Sequence, residues 1–442
     1  MGRIVRIVMV LVHYIVAMKP LRTAAIAGAW LAVAALGILA QPAGSQKAFT
    51  GVRLIDGTDR PPIDDATILV SDGRVTFAGP AAHILGGTEV VSLRGKTVIP
   101  GLINAHGHVG DTAGLDGGRY SAANVTRDLR LYAAYGVTTV FSLGGDQAPS
   151  LAARDSQRMP ALDRARLFVA GPVLAPKTPD EARALVDADA AMKVDIVKIR
   201  VDDNLGTTPK MAPEIYRAVI DQAHKKGLRV GVHLFYLADA KSVLDAGADF
   251  IAHSIRDADV DAEVIAALKA RDVCVCPTLM REVSTFVYES TPAFFSDPFF
   301  QKHADTQTVA ALKDPARQET MRESTAAQRY KTALEVASRN LKKLSDAGVT
   351  IAMGTDTGPP ARFQGYFEHM ELELMAKAGL TSRQVLASAT RDAARCMKID
   401  KEVGTLEPGK WADFVVLNAD PLADIKNTRT IDSVWMAGRR LP

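Results

Sequence analysis

Val98-Ile99-Pro100-Gly101-Leu102-Ile103-Asn104-Ala105-His106-Gly107-His108 is an apolar run that closes on two histidines two residues apart. Strand side chains alternate with period two, so both imidazoles face the same side. Two neutral imidazoles on one face make half of a divalent-metal site. Taken alone, the pair reads equally well as two satisfied histidines beside a turn. The choice rests on whether the rest of the chain supplies the missing ligands.

Downstream, apolar runs alternate with amphipathic helical stretches. Candidate strands cover 97–109, 137–143, 166–170, 194–199, 228–233, 250–253, 273–278 and 350–354. Helical stretches at 212–226, 238–246, 262–271 and 328–347 separate the later ones. Eight strands with intervening helices predict an α/β fold, a (β/α)8 TIM barrel over 97–403. Functional residues in that fold sit at the C-terminal strand ends. The runs close accordingly. The first ends in His106 and His108, the fourth carries Lys198, the fifth ends at His233, the sixth at His253, and the eighth runs into Asp356. That convergence turns the histidine pair into part of a site.

The flanks read differently. Short β runs occupy 51–55, 66–70 and 74–79, with an Asp72-Gly73 turn between the last two. Asp-Gly between alternating runs is a hairpin signal. Runs at 411–417 and 431–436 resume the style. The two ends, 46–96 and 404–442, are expected to pair as one small β-sandwich domain.

Residues 1–45 hold four basic residues (Arg3, Arg6, Lys19, Arg22) and no acidic one. A charged start at Met18–Arg22, an apolar run over 23–40 and Ala43-Gly44-Ser45 resemble a secretory signal with a small-x-small cleavage site. Secretion or a periplasmic location is expected, with an uncleaved membrane anchor as the competitor. Losing these residues lowers Lys plus Arg from 53 to 49 against 50 acidic residues. The remainder is close to neutral, which gives no reason to expect nucleic acid. The partner expected is a small-molecule substrate, and self-assembly is left open. Three cysteines occur, Cys274, Cys276 and Cys396. The first two share a face of an apolar strand and read as buried thiols, with no disulfide framework implied.

The chain resembles the amidohydrolase superfamily of metal-dependent hydrolases. The likeness rests on Val98–Ile103 before His106-Gly107-His108, on Gly354-Thr355-Asp356, and on the tail from Gly404 to Asp413, which reads GTLEPGKWAD. That tail is most similar to the branch holding imidazolonepropionase and secreted Xaa-Arg/Lys dipeptidases and prolidases. The resemblance implies that His106, His108 and Asp356 bind one divalent ion, and that His233 and His253 bind a second. Zinc is the default metal. Lys198 would carry carbon dioxide as a carbamate bridging both ions. A water between the ions would lose its proton near neutral pH and act as nucleophile, with Asp356 passing that proton to the leaving nitrogen.

Other readings stay open. Lys198 can instead pair with Asp195, Asp202 or Asp203; His233 and His253 can be core histidines; Asp356 can cap a helix. His13, His83, His224, His303 and His369 lack strand-end placement and read as surface or packing residues. Deaminases and imidazolonepropionase of the superfamily carry a glutamate shortly after the fifth-strand histidine, and His233-Leu234-Phe235-Tyr236-Leu237-Ala238-Asp239 has none. The expectation therefore shifts to amide hydrolysis in dipeptides or N-acyl amino acids. Lactone, carbamate or phosphoester hydrolysis and a mononuclear site are the alternatives, and a non-enzymatic barrel is the outlier. Tyr236 and Arg256 are candidate contacts for a substrate carboxylate. The Phe-rich stretch over 280–326 reads either as an apolar lid or as simple packing. No G-x-S-x-G, H-E-x-x-H or P-loop pattern is present.

Overall fold

The computed structural model describes residues 46–442; the expected leader over 1–45 lies outside the described residues. Five strands open the described chain: β1 (Lys47–Leu54), β2 (Ile63–Ser71), β3 (Arg74–Gly79), β4 (Glu89–Ser92) and β5 (Thr97–Pro100). β2 and β3 form the expected hairpin. Asp72 and Gly73 both take positive φ, 51° and 77°, as a two-residue turn between twisted strands demands.

The run expected as one strand over 97–109 serves two sheets. It divides at Gly101, where an added Cβ would lie 2.0 Å from Thr138 Oγ1, so no side chain fits the elbow. Beyond the elbow, β6 (Leu102–Gly107), β7 (Val137–Ser142) and β8 (Arg166–Val169) form one parallel run. β9 (Val173–Leu174), β10 (Val197–Arg200), β11 (Val230–His233), β12 (Phe250–Ile251) and β13 (Cys274–Val275) form a second, also parallel. Helices such as Ala122–Ala134, Pro179–Met192, Pro213–Lys225 and Leu237–Ala246 connect them. The architecture is a TIM-barrel-like α/β fold.

Backbone hydrogen bonds reach beyond the two runs. Asp195 N donates to Val169 O at 2.8 Å, and Ala105 N to Met353 O at 2.8 Å. The segment expected as an eighth strand pairs through a single β-bridge, Val275 with Ile351, and builds no regular strand. Ile103, Ala105, Phe141, Ile196, Phe250 and Ala252 pack together in one apolar cluster. A larger cluster, with Val140, Val197, Val232 and Ile251, packs with the helices.

The chain ends do pair. β14 (Phe414–Leu417), β15 (Ile431–Met436) and β16 (Arg439–Arg440) join the N-terminal strands in the order β16-β15-β14-β5-β1-β2-β3, with β4 beside β1. Arg166 on β8 and Asp413 before β14 make a buried ion pair, 2.5 Å from Nε to Oδ2, that ties this sheet to the parallel strands. No helix among the described residues is long and apolar enough to cross a membrane.

Two expectations change here. Cys274 and Cys396 form a disulfide, and only Cys276 is a buried free thiol. The partners stand 122 residues apart, and the fold alone brings β13 beside the short helix Arg391–Cys396. The Phe-rich excursion is a satellite core: Tyr288, Phe295 and Phe300 are buried against Tyr135, Tyr366 and Phe367. The packing reading of that stretch therefore holds, and the apolar-lid reading gives way to it.

Cross-linking a long loop constrains the unfolded chain and contributes about 2–4 kcal/mol. Cys396→Ser and Cys274→Ser should each lower stability by about that amount, measured by urea denaturation under non-reducing conditions. Equal stability of either variant and the parent would show that the bond contributes nothing.

Candidate metal centre and active site

Four imidazoles stand in a row at the C-terminal ends of the parallel strands. Ring centroids are 5.5 Å apart for His108 and His106, 4.6 Å for His106 and His253, and 4.1 Å for His253 and His233. Asp356 Oδ1 lies 2.8 Å from His108 Nε2 and 3.5 Å from His106 Nε2. Lys198 Nζ lies 3.4 Å from His106 Nε2. All six residues expected as ligands are therefore brought together. The tightest grouping differs from the expected one: donor atoms of His106, His253 and Asp356 lie within 4.8 Å of one another.

The donor set fits a divalent cation. His106 Nδ1 donates to Ala252 O at 2.7 Å, which leaves its Nε2 as a lone-pair donor, while His108 has Nδ1 on Gly144 O at 2.9 Å and Nε2 on Asp356 Oδ1 at 2.8 Å, where a cation would take the place of a proton. His253 Nδ1 meets Thr278 Oγ1 at 2.6 Å, and its buried Nε2 has no hydrogen-bond partner. His233 Nε2 lies 2.9 Å from Asp202 Oδ2 yet outside hydrogen-bond geometry. Orphaned buried nitrogens are costly unless something else satisfies them. Burial keeps the rings neutral, pushing His106 and His253 well below the usual imidazole range and His233 down to about 3. Burial alone would raise the Asp356 carboxyl, but Arg362 and the two imidazoles outweigh it and hold it well below the carboxylate range.

Lys198 is buried, and desolvation pulls its amine down to about 8. None of the alternative carboxylates pairs with it. Asp195 binds Arg154 and Val169 N, Asp202 takes Arg200 and faces His233, and Asp203 accepts the Tyr236 hydroxyl.

Sequence reasoning missed the groups that hold the ligands. β6 carries a register shift between Asn104 and Gly107, a bulge that re-aims the histidines. Asp356 sits at φ 59° in the left-handed region, with its N–H on His106 O at 2.6 Å. Behind it, the wholly buried Glu368 accepts from Asn104 Nδ2, Thr355 Oγ1 and Thr357 Oγ1, each at 2.6 Å on Oε1. Asn104 in turn accepts His106 N–H at 3.0 Å, and Tyr132 bonds Thr357 at 2.7 Å. Glu371, one helical turn on, accepts Leu279 N and Met280 N and so fixes the loop beyond Thr278. A glutamate in a helix gives no sign in the sequence that it faces inward.

The substrate contacts fare differently from the ligands. Tyr236 stands at the start of the helix Leu237–Ala246, its hydroxyl on Asp203 at 2.8 Å. Arg256 is corrected: it is fully buried, donates to Leu234 O and Ser254 O, and pairs with Glu282 at 2.9 Å. Its fork is enclosed in the interior, with Nη2 left without a hydrogen-bond partner. His369, also buried, bonds Tyr135 O and Thr428 Oγ1, which is the packing role expected of it.

The sequence profile of the Amidohydrolase family matches residues 97–441. The chain belongs to this family. It is a hydrolase acting on carbon–nitrogen bonds. It is 26% identical to the imidazolonepropionase of Cutibacterium acnes, over 86% of this chain and 91% of that one. Among solved structures it is similar to a putative prolidase from Bifidobacterium longum, with TM-score 0.73 and 26% identity over 90% of this chain and 95% of that one. A Xaa-Pro dipeptidase with bound methionine in its active site shares the fold, with TM-score 0.73 and 21% identity over 90% and 99% of the two chains. Family members generally bind metal ions, in keeping with the His-His-Asp grouping here.

Two measurements probe this scaffold. Glu368→Ala strands three buried donors and should cost about 3 kcal/mol, while Glu368→Gln, which keeps an acceptor, should cost under about 1.5 kcal/mol. Equal losses in urea denaturation would contradict the clamp. Burial lowers His369 to about 4, below the ordinary value near 6.5. As pH falls through 6.5 the unfolded chain gains a proton there that the folded chain refuses, so stability is lost between about pH 6.5 and 4. His369→Gln should shrink the stability change between pH 7 and 4.5 by about 2–3 kcal/mol. An unchanged difference would remove His369 from the acid response.

Proposed function

We propose that the chain is a secreted or periplasmic two-metal hydrolase that cleaves the amide bond of dipeptides or N-acyl amino acids. The observation that carries this reading is the row of four imidazoles, three of them held neutral by burial, with Asp356 near one end and a buried Lys198 beside its centre. In this reading His106, His108 and Asp356 would hold one ion and His233 and His253 a second, and Lys198 would serve the same centre as a carbamate. A lysine lowered by burial has the neutral amine that carbon dioxide needs. Divalent ions, zinc by default, supply polarisation of the scissile carbonyl and an acidified water.

The protein's own groups do the rest. Asp356 receives the proton of the attacking water and hands it to the leaving nitrogen. The Glu368 clamp keeps that carboxylate in place through Thr355 and Thr357. Tyr236 is the proposed substrate contact, offering its hydroxyl once Asp203 releases it. The scaffold is a closed (β/α)8 barrel over 97–403, and 46–96 and 404–442 form a β-sandwich domain. The Cys274–Cys396 disulfide supports an oxidising compartment, as does the leader-like start.

A second reading has its own observation. Donor atoms of His106, His253 and Asp356 lie within 4.8 Å of one another across the two expected sets, and one ion held by these three would be a mononuclear centre. Metal analysis decides between them. The protein purified with zinc should hold two ions per chain and cleave members of a dipeptide and N-acyl amino acid library. Lys198→Ala should lose one ion and at least about tenfold in activity. One ion per chain, together with unaltered Lys198→Ala activity, would establish the mononuclear reading instead.

A further inference from the structure

With Arg256 committed to Glu282, the uncharged Tyr236 is the one expected contact left for the carboxylate that dipeptides and N-acyl amino acids share, and it supplies no positive charge. The geometry points to Arg362 as the specificity-determining residue, an inference that rests on the amide-hydrolase reading above. Arg362 lies in the loop that follows Asp356, and its Nη1 donates to Asp356 Oδ2 at 2.6 Å and to Asp356 O at 3.2 Å. Its Nε and Nη2 make no hydrogen bond to any described residue, and 19% of its side chain is exposed. One edge of the guanidinium therefore holds a metal-ligand carboxylate while the other is open.

Arg362 also lines a cavity. A hollow of about 730 Å3 has Arg362, Phe363 and Gln364 among its walls and Thr112, Asp305 and Thr308 among the others. None of the four histidines lines it; Arg362, on Asp356, and Gln364, whose Nε2 donates to His108 O at 2.8 Å, join it to the ligand cluster. The other arginines of this hollow are already neutralised, Arg127 by Asp128 and Arg130 by Asp163. Asp305 is engaged as the cap on Thr308 N. Asp356 turns Oδ1 toward the imidazoles and Oδ2 toward Arg362, so a cation on the imidazole side would leave Arg362 with surplus positive charge.

A planar fork takes a carboxylate through two parallel N–H bonds, which a lysine ammonium cannot imitate. The leaving residue then points its side chain into the hollow, past Phe363.

The test uses N-acetyl-L-leucine and N-acetyl-L-leucinamide, which differ only in the terminal group, titrated calorimetrically into the zinc-loaded full chain. The parent should bind the acid at least tenfold more tightly than the amide. Arg362→Gln should abolish that preference by weakening acid binding alone, and Arg362→Lys should restore only part of it. Absence of a preference in the parent, its survival in Arg362→Gln, or equal weakening of both ligands would overturn the inference. Equal weakening is the result a purely structural role on Asp356 predicts. Hydrolysis of leucyl-leucine, measured in parallel, bears on the amide-hydrolase reading alone, because the titrations need no turnover.

Discussion

A single carboxylate oxygen, Glu368 Oε1, joins the first parallel strand to the segment that ends in Asp356. It gathers Asn104 from β6 with Thr355 and Thr357 from either side of Asp356. A buried acceptor with three donors is strong only while all three are present, since each stranded donor keeps its full desolvation cost. That dependence explains why a segment with no regular strand is held so firmly. It also explains how Asp356 persists in a backbone conformation that a non-glycine side chain seldom adopts.

The same logic runs through the histidines. Each ring of the His106–His108 pair is oriented by a carbonyl on its far nitrogen, Ala252 O for one and Gly144 O for the other. Both acceptors are main-chain atoms of the loops or strand ends, so the tautomers are set by the fold and not by other titratable groups. Burial then keeps the His106 ring neutral, which is what cation binding requires. The charges near the row lie outside it: Arg362 on Asp356, Arg200 between Asp202 and solvent, Arg256 on Glu282.

Much of this was legible in the chain itself. Apolar runs that close on polar residues located the six ligand candidates, because a parallel α/β sheet puts its functional groups at strand ends. The Asp72-Gly73 hairpin and the pairing of the two chain ends were equally readable. What escaped detection depends on long-range placement. The break at Gly101 is set by Thr138, a neighbour 37 positions away along the sequence. Cys274 meets Cys396 only after the helices between them have packed. Arg256 looked like a substrate fork because of its position after His253; Glu282, in the short helix Leu279–Val283, claims it. Glu368 and Glu371 sit in the helix Tyr366–Lys377, where their charge would ordinarily predict a solvated face.

The disulfide also decides what a proteolytic cut would separate. Cys274 and Cys396 bracket the whole excursion over 280–326, whose helix Pro315–Glu323 has no buried residue. Such surface segments are where proteases cut first. A cut there would leave two polypeptides, yet the piece carrying Asp356 would stay covalently joined to the piece carrying the four histidines. The ligands of the centre would thus travel as one molecule through damage that would otherwise part them.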